Sequence, residues 1–327
     1  MARPQDTYLK WDLANAEATY GAGVTPATWF KLTGAGLFQR EFEFDDDMKE
    51  ITGHPYVSDG GAKVIRRSVS GSLEYKVNVD LLTYLVASIC GGVTTTGSGP
   101  YTHTVKWPGS GVVSPKTFSV IQASDRNSTA SMFEYNGIYP NSVGFTVDQP
   151  GAILGTVELQ GDGSQVATAG DSVPAIDSDT GGNRLYQEQA VIKLGPSSQV
   201  VTTIFRSMSA TWTADVQQRV LPSTAPLVGE IEYGEDAPSL EVALTVKGQK
   251  GDTVWGYFNS ETKVVFDITI TDGTNSIQLV LSSARVMALE EAFDGIDHVL
   301  NMTLRSEYNA TDASPWKFIG VNSVSAY

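Results

Sequence analysis

Two stretches of this chain set out the same series of elements in the same order, and any fold must accommodate both. In the first, the alternating segment Ser68–Val79 runs into a short apolar helix, Asp80–Cys90, and then into paired strands expected near Thr102–Lys106 and Thr117–Ile121. In the second, the alternating segment Ser239–Lys247 runs into a short apolar segment, Gly251–Phe258, and then into Lys263–Thr271 and Ser276–Ser282. Strands around Glu41 and Trp212 precede the two series, and Ser142–Gly161 and His298–Ser306 close them. Identity between the copies is slight, so duplication is an expectation resting on element order.

The periodicities behind these assignments are local. Val69, Leu73, Tyr75 and Val77 alternate with Ser70, Ser72, Glu74 and Lys76, the mark of a half-buried strand. Leu81, Leu85 and Ile89 recur at helical spacing, Asp80 is a plausible N-cap, and Gly91-Gly92 stops the helix. Phe42 and Phe44 alternate with Glu41, Glu43 and Asp45. Met208, Ala210, Trp212, Ala214 and Val216 form one alternating run, and Leu300, Met302 and Leu304 another. The clearest hairpin is Val264–Leu281, where Phe266, Ile268 and Ile270 lead to Asp272-Gly273 and Ile277, Leu279 and Leu281 return. Residues 1–30 show no period and read as an extended arm. Residues 162–189 are rich in Gly, Asp, Ser and Thr and read as a linker between a first β unit, 31–161, and a second, 190–327.

Composition narrows the function. The 327 residues carry a net charge of −15 and no basic run, which argues against tight nucleic-acid binding, because that needs Lys and Arg to displace counterions from phosphate. Such charge suits a soluble surface or one that repels a polyanion. Cys90 is alone, so no internal disulfide framework is expected, and a buried thiol fits its place at the end of an apolar helix. The first residues show no secretory h-region, and no stretch approaches the roughly 20 apolar residues of a membrane span.

Catalytic motifs are absent: no Gly-x-Ser-x-Gly, no His-Glu-x-x-His and no P-loop, and Gly21-Ala-Gly23 and Gly34-Ala-Gly36 lack a third glycine. His54, His103 and His298 stand outside any motif. Asp45-Asp46-Asp47, with Glu41, Glu43 and Glu50, lacks calcium-loop spacing and reads as a solvated acidic loop. Glu290-Glu291 are adjacent in sequence and point apart on most backbones, a poor start for glycoside cleavage. The six tryptophans are scattered, which suits packing. No enzyme, cofactor or metal is expected.

The run Ser68–Gly92 resembles the tail tube (major tail) proteins of long-tailed bacteriophages, in which an alternating strand leads into a helix ending near Gly. A Thr/Gly loop follows, here Val93–His103, then a strand like Thr117–Ile121. Next come a Tyr-x-Gly segment, Tyr135-Asn-Gly137, and a strand pair like Ser142–Val147 and Gly151–Gly161. The likeness is best over about residues 60–161. It implies a mainly β chain of two tandem sandwich or barrel units, each with a short flanking helix. It implies a virion protein, made in the bacterial cytoplasm, whose rings stack into a tube that conducts DNA without binding it specifically. Rings would be hexameric or trimeric and pseudo-hexameric, with tape measure and tail terminator proteins as further partners and no membrane. Residues 1–30, Asp45–Gly61 and Gly91–Pro100 are the candidate ring-to-ring connectors, with Asp45, Asp46, Asp47, Glu50, Thr94, Thr95 and Thr96 the named contacts. A carbohydrate-binding β-sandwich, or a glycoside hydrolase on a β scaffold, are the competing expectations. A clustered aromatic platform would mark the first and two facing carboxylates the second.

Overall fold

The computed structural model describes residues 8–12, 16–18, 20–33, 38–45, 63–107, 114–123, 132–148, 151–162, 164–167, 184–220, 228–234 and 238–327. The protein is mainly β. The N-terminal half holds β1 (Tyr8–Trp11), β2 (Thr28–Lys31), β3 (Gln39–Asp45), β4 (Lys63–Lys76) and α1 (Val79–Ile89). It continues with β5 (Thr94–Thr96), β6 (Tyr101–Lys106), β7 (Phe118–Ala123), β8 (Met132–Val147), β9 (Leu154–Gly161) and β10 (Val166–Ala167). The C-terminal half holds β11 (Ala190–Gly195), β12 (Phe205–Thr213), β13 (Val216–Val220), β14 (Val228–Tyr233) and β15 (Ser239–Lys247). It ends with α2 (Thr253–Asn259), β16 (Val264–Thr271), β17 (Ser276–Asp294), β18 (Asp297–Ser306) and β19 (Lys317–Asn322).

One antiparallel sheet runs β3–β4–β9–β8–β12–β15–β18–β17. Two of its strands also serve a second layer. The first part of β8 pairs with β7 on one side and β10 on the other, and β7 carries β1 and then β2. The first part of β17 pairs with β16 and β19, which carry β11 and β6, and β6 carries β5. A strand can change layers where an extra residue kinks it and increases its twist. Such bulges lie between Pro140 and Ser142 in β8 and between Val286 and Ala288 in β17. Thus β3–β4–β9–β8 and β12–β15–β18–β17 have the same connectivity, and so do β1–β7–β8–β10 and β11–β16–β17–β19.

The two halves share their sheets and their core. Met208–Thr213 of β12 pair with β8, and Lys317–Asn322 of β19 pair with β6. One apolar cluster draws on both halves. Within it Trp212, fully buried, stacks on Phe145 at 6.1 Å and meets Trp316 at 6.0 Å and Phe318 at 5.6 Å edge-on. Helix α1 is buried along its length and rests on β8, β12 and β19. Its approach to β19 depends on Gly320: a Cβ there would lie 2.1 Å from Oγ1 of Thr83.

Several local expectations shift. Thr102–Lys106 and Thr117–Ile121, expected as a pair, lie apart: β6 sits between β5 and β19, and β7 between β1 and β8. Asn78, not Asp80, caps α1, its Oδ1 accepting from the Asp80 N–H at 2.8 Å and the Leu81 N–H at 3.4 Å. The run expected to continue through Val216 breaks at Thr213, and Val216 opens the hairpin β13–β14. Within residues 1–30, Tyr8–Trp11 and Thr28–Phe30 lie in strands, where Tyr8, Leu9 and Trp11 are buried. Within 162–189, Asp162 and Leu185 are buried, and Leu185 N–H donates to the Val77 carbonyl. The Val264–Leu281 hairpin forms as expected, with Asp272 Oδ1 accepting from the N–H groups of Thr274 and Asn275 across the turn.

Candidate assembly interface

The eight-stranded sheet has one face on the core and one facing away, because successive side chains on a strand point to opposite sides. The core side takes Val69, Leu73 and Tyr75 from β4, Val157 and Leu159 from β9, Val143 and Phe145 from β8, and Val242, Leu244 and Val246 from β15, all buried. The far side is dominated by small hydroxyls: Ser68, Ser70 and Ser72, Ser142 and Thr146, Thr156, Ser207, Ser209, Thr211 and Thr213, Thr245 and Thr303. Gly144 belongs to this face, and a Cβ on it would meet Oγ1 of Thr156 at 3.0 Å and Oγ1 of Thr211 at 3.2 Å. The carboxylates of this side include Glu41, Glu43, Glu74, Glu158, Glu241, Glu290, Asp294 and Asp297; its cations include Arg66, Lys76, Lys247, Arg285 and Arg305. The result is a smooth, hydroxyl-rich, mildly acidic surface.

The sheet has two ends. Among the described residues β3 pairs only with β4, and Arg285–Asp294 of β17 pair only with β18. Such edges leave rows of backbone donors and acceptors ready for another strand. Exposed apolar side chains gather there: Phe42 (44%) on β3, Met287 (52%) and Phe293 (71%) on β17, and Ile296 (97%) in the β17–β18 turn. The guanidinium of Arg40 lies over the Phe42 ring at 5.2 Å, and its Nη1 donates to Gln165 Oε1 at 3.2 Å. Arg40 Nε is buried without a hydrogen-bond partner among the described residues. At the other end Glu291 Oε1 lies 3.3 Å from His298 Nδ1. Nearby, Asp297 binds Lys247 Nζ at 2.6 Å and the Arg206 guanidinium. The hydrogen bond from Lys247, with the charges of Lys247 and Arg206, holds the Asp297 carboxyl below the usual carboxylate range.

Of the residues singled out in the sequence, Asp45 ends β3, while Asp46, Asp47 and Glu50 fall outside the described residues. Thr94, Thr95 and Thr96 form β5, a short edge strand on β6, with Thr94 and Thr96 exposed. Thr95 is committed to packing, its hydroxyl 2.9 Å from Nδ1 of His103. The Glu41 edge and the Thr strand therefore lie on different ladders and do not meet. Sequence reasoning missed the hairpin β13–β14, which lies in sequence between β12 and β15 and docks on the first half: Gln218 Nε2 donates to the Tyr139 hydroxyl at 2.7 Å and the Tyr233 hydroxyl to the Ile89 carbonyl at 2.7 Å. It also missed the C-terminal part of β17, whose alternation fades after Val286.

Groups with chemical potential elsewhere are engaged in structure. His103 is buried, with Nε2 donating to Asn322 Oδ1 at 3.0 Å, and burial lowers its pKa. The Cys90 thiol is buried, which pushes its pKa up. Glu17 is buried and accepts from Gly21 N–H at 3.0 Å, Ser119 Oγ at 2.8 Å and Gly137 N–H at 3.0 Å, tying its segment to β7 and β8. Beside it burial raises the pKa of Asp162, which accepts from Ser164 N–H at 2.7 Å. Among the described residues no group of three or more His, Cys, Asp or Glu could hold a metal ion. No described helix is long and apolar enough to cross a membrane. Trp11, Trp29, Trp212 and Trp316 are buried, with Trp107 and Trp255 apart from one another in sequence and setting.

No model of a known protein family matches the chain, and no curated protein matches it in sequence.

Proposed function

We propose that this protein is a structural subunit that assembles with copies of itself into stacked rings, forming the tail tube of a long-tailed bacteriophage through which DNA is delivered. The observation that carries this reading is the eight-stranded sheet: a hydroxyl-rich far face, a packed near face, and an open edge at each end. A sheet of this width satisfies its edges by closing, and closure through copies of one chain makes a ring. The recurrence of one connectivity in both halves supports two like units per chain, so that three chains give a pseudo-sixfold ring. The far face then lines the bore. Hydroxyls dominate this face and its carboxylates outnumber its cations, so the net charge repels phosphate. The protein's place is then the virion tail, and DNA is cargo rather than ligand.

Electron microscopy of the concentrated, purified protein tests the reading. Hollow filaments or rings of uniform width are expected. A chain that stays monomeric by light scattering up to millimolar concentration, with no particles in the microscope, would overturn it.

A further inference from the structure

We infer that the two open ends join to each other between copies, β17 of one chain to β3 of the next, in the register that β8 and β12 already use within the chain. This rests on the self-assembly reading above and specifies its contact. The warrant is the shared connectivity. Matching the bulge of β8 to that of β17 pairs Ser142 with Ala288, Val143 with Leu289, Gly144 with Glu290 and Phe145 with Glu291. Following the ladders outward from the bulges makes Leu159 equivalent to Leu304, Gly71 to Val242 and Ser70 to Glu241. Their partners then make Gln39 equivalent to Thr211, Arg40 to Trp212 and Glu41 to Thr213.

Inside the chain Thr211 pairs with Gly144, Trp212 with Val143 and Thr213 with Ser142, and Ala214 N–H donates to the Asn141 carbonyl at 2.9 Å. Carried to the open ends, this register sets Gln39 opposite Glu290, Arg40 opposite Leu289 and Glu41 opposite Ala288. It lays Phe42 beside Met287, bringing together two of the exposed large apolar side chains of the molecule, one from each end. It also puts Arg40 on the same face as Glu291 and one diagonal step away, within reach of long side chains. The helices agree: α1 is buried between β8 of its own half and β12 and β19 of the second, whereas α2 leaves Trp255, Tyr257 and Phe258 half-buried.

Cysteine pairs read the register directly, because the one native thiol is buried. Within one chain β3 and β17 stand seven strand spacings apart, roughly 30 Å, so a disulfide between them must join two copies. A chain carrying both Gln39→Cys and Glu290→Cys, or both Glu41→Cys and Ala288→Cys, is expected to give disulfide-linked dimers and trimers on oxidation. Yields should be at least tenfold above those of an off-register pair, Glu43→Cys with Glu290→Cys. Arg40→Glu should suppress assembly at least tenfold, and Arg40→Glu with Glu291→Arg should restore it. Rings that form but cross-link equally well off register, and ignore the charge exchange, would overturn this joint and leave self-assembly standing. A chain monomeric under every condition would overturn both.

Discussion

The seam between β8 and β12 and the open ends at β17 and β3 are built on the same ladder positions with opposite chemistry. At the inner seam Trp212, Ala210, Val143 and Phe145 are buried, and Gly144 lets the strands and their threonines close together. At the ends the same positions hold Arg40, Phe38, Leu289, Glu291 and Glu290, of which Phe38 alone is buried. A permanent contact can bury aromatic area without regard to solubility. An edge that must remain in water before meeting a partner keeps charges and shows only isolated apolar side chains, the pattern of an interface made after folding.

The contrast breaks if the inner seam proves dispensable to the fold. Trp212→Ala removes a fully buried side chain and is expected to cost about 3–5 kcal/mol, read by denaturant unfolding. Gly320→Ala forces a Cβ against Thr83 and should cost about 1–3 kcal/mol by pushing α1 off β19. At the ends the order of effects reverses. Phe42→Asp should leave monomer stability within about 0.5 kcal/mol of the parent, as for an ordinary surface change, while light scattering shows assembly lost. The smallest effect is with pH. Asp297 has its folded-state pKa depressed by Lys247 and Arg206, so its contribution is present above the ordinary Asp value and is lost as pH falls through the depressed one. Protection factors for amide exchange, corrected for the intrinsic rate at each pH, should therefore fall at the β17–β18 end on acidification below about pH 4, the ordinary Asp range, while those of β8–β12, which pairs no ionisable side chains across the seam, hold.

Much of the fold was legible because its strands alternate cleanly. Val69–Val77, Phe266–Leu281 and Leu300–Leu304 each have one buried face, and the short apolar helix between glycines and polar residues announced α1. Single strands in both halves were legible for the same reason, but their correspondence was not: β7 and β8, rather than β6 and β7, hold the positions of β16 and β17. What could not be read was pairing over long separations. Nothing local in Met208–Thr213 says that its neighbour is Ser142–Val147 rather than a strand of its own half. Tyr8–Trp11 and Thr28–Lys31 are four residues each, too short to display a period. The cap moved from Asp80 to Asn78 because both are good cappers and only backbone geometry chooses between them. The edge of β17 was hidden because Ala288, Glu290, Glu291 and Ala292 carry no alternation: neither side of that segment is fully covered. Acidic and threonine-rich loops drew attention by composition, whereas an open strand edge is a property of topology and leaves a faint mark on residue type.

One chain holding both β8 and β12 alters the concentration dependence of whatever is built from it. That seam closes within a single chain, so its closing does not depend on how many other chains are present. The outer seams depend on how many chains the surrounding solution contains. Folding thus completes at any dilution, whereas the proposed assembly would begin only once synthesis has raised the supply of finished subunits.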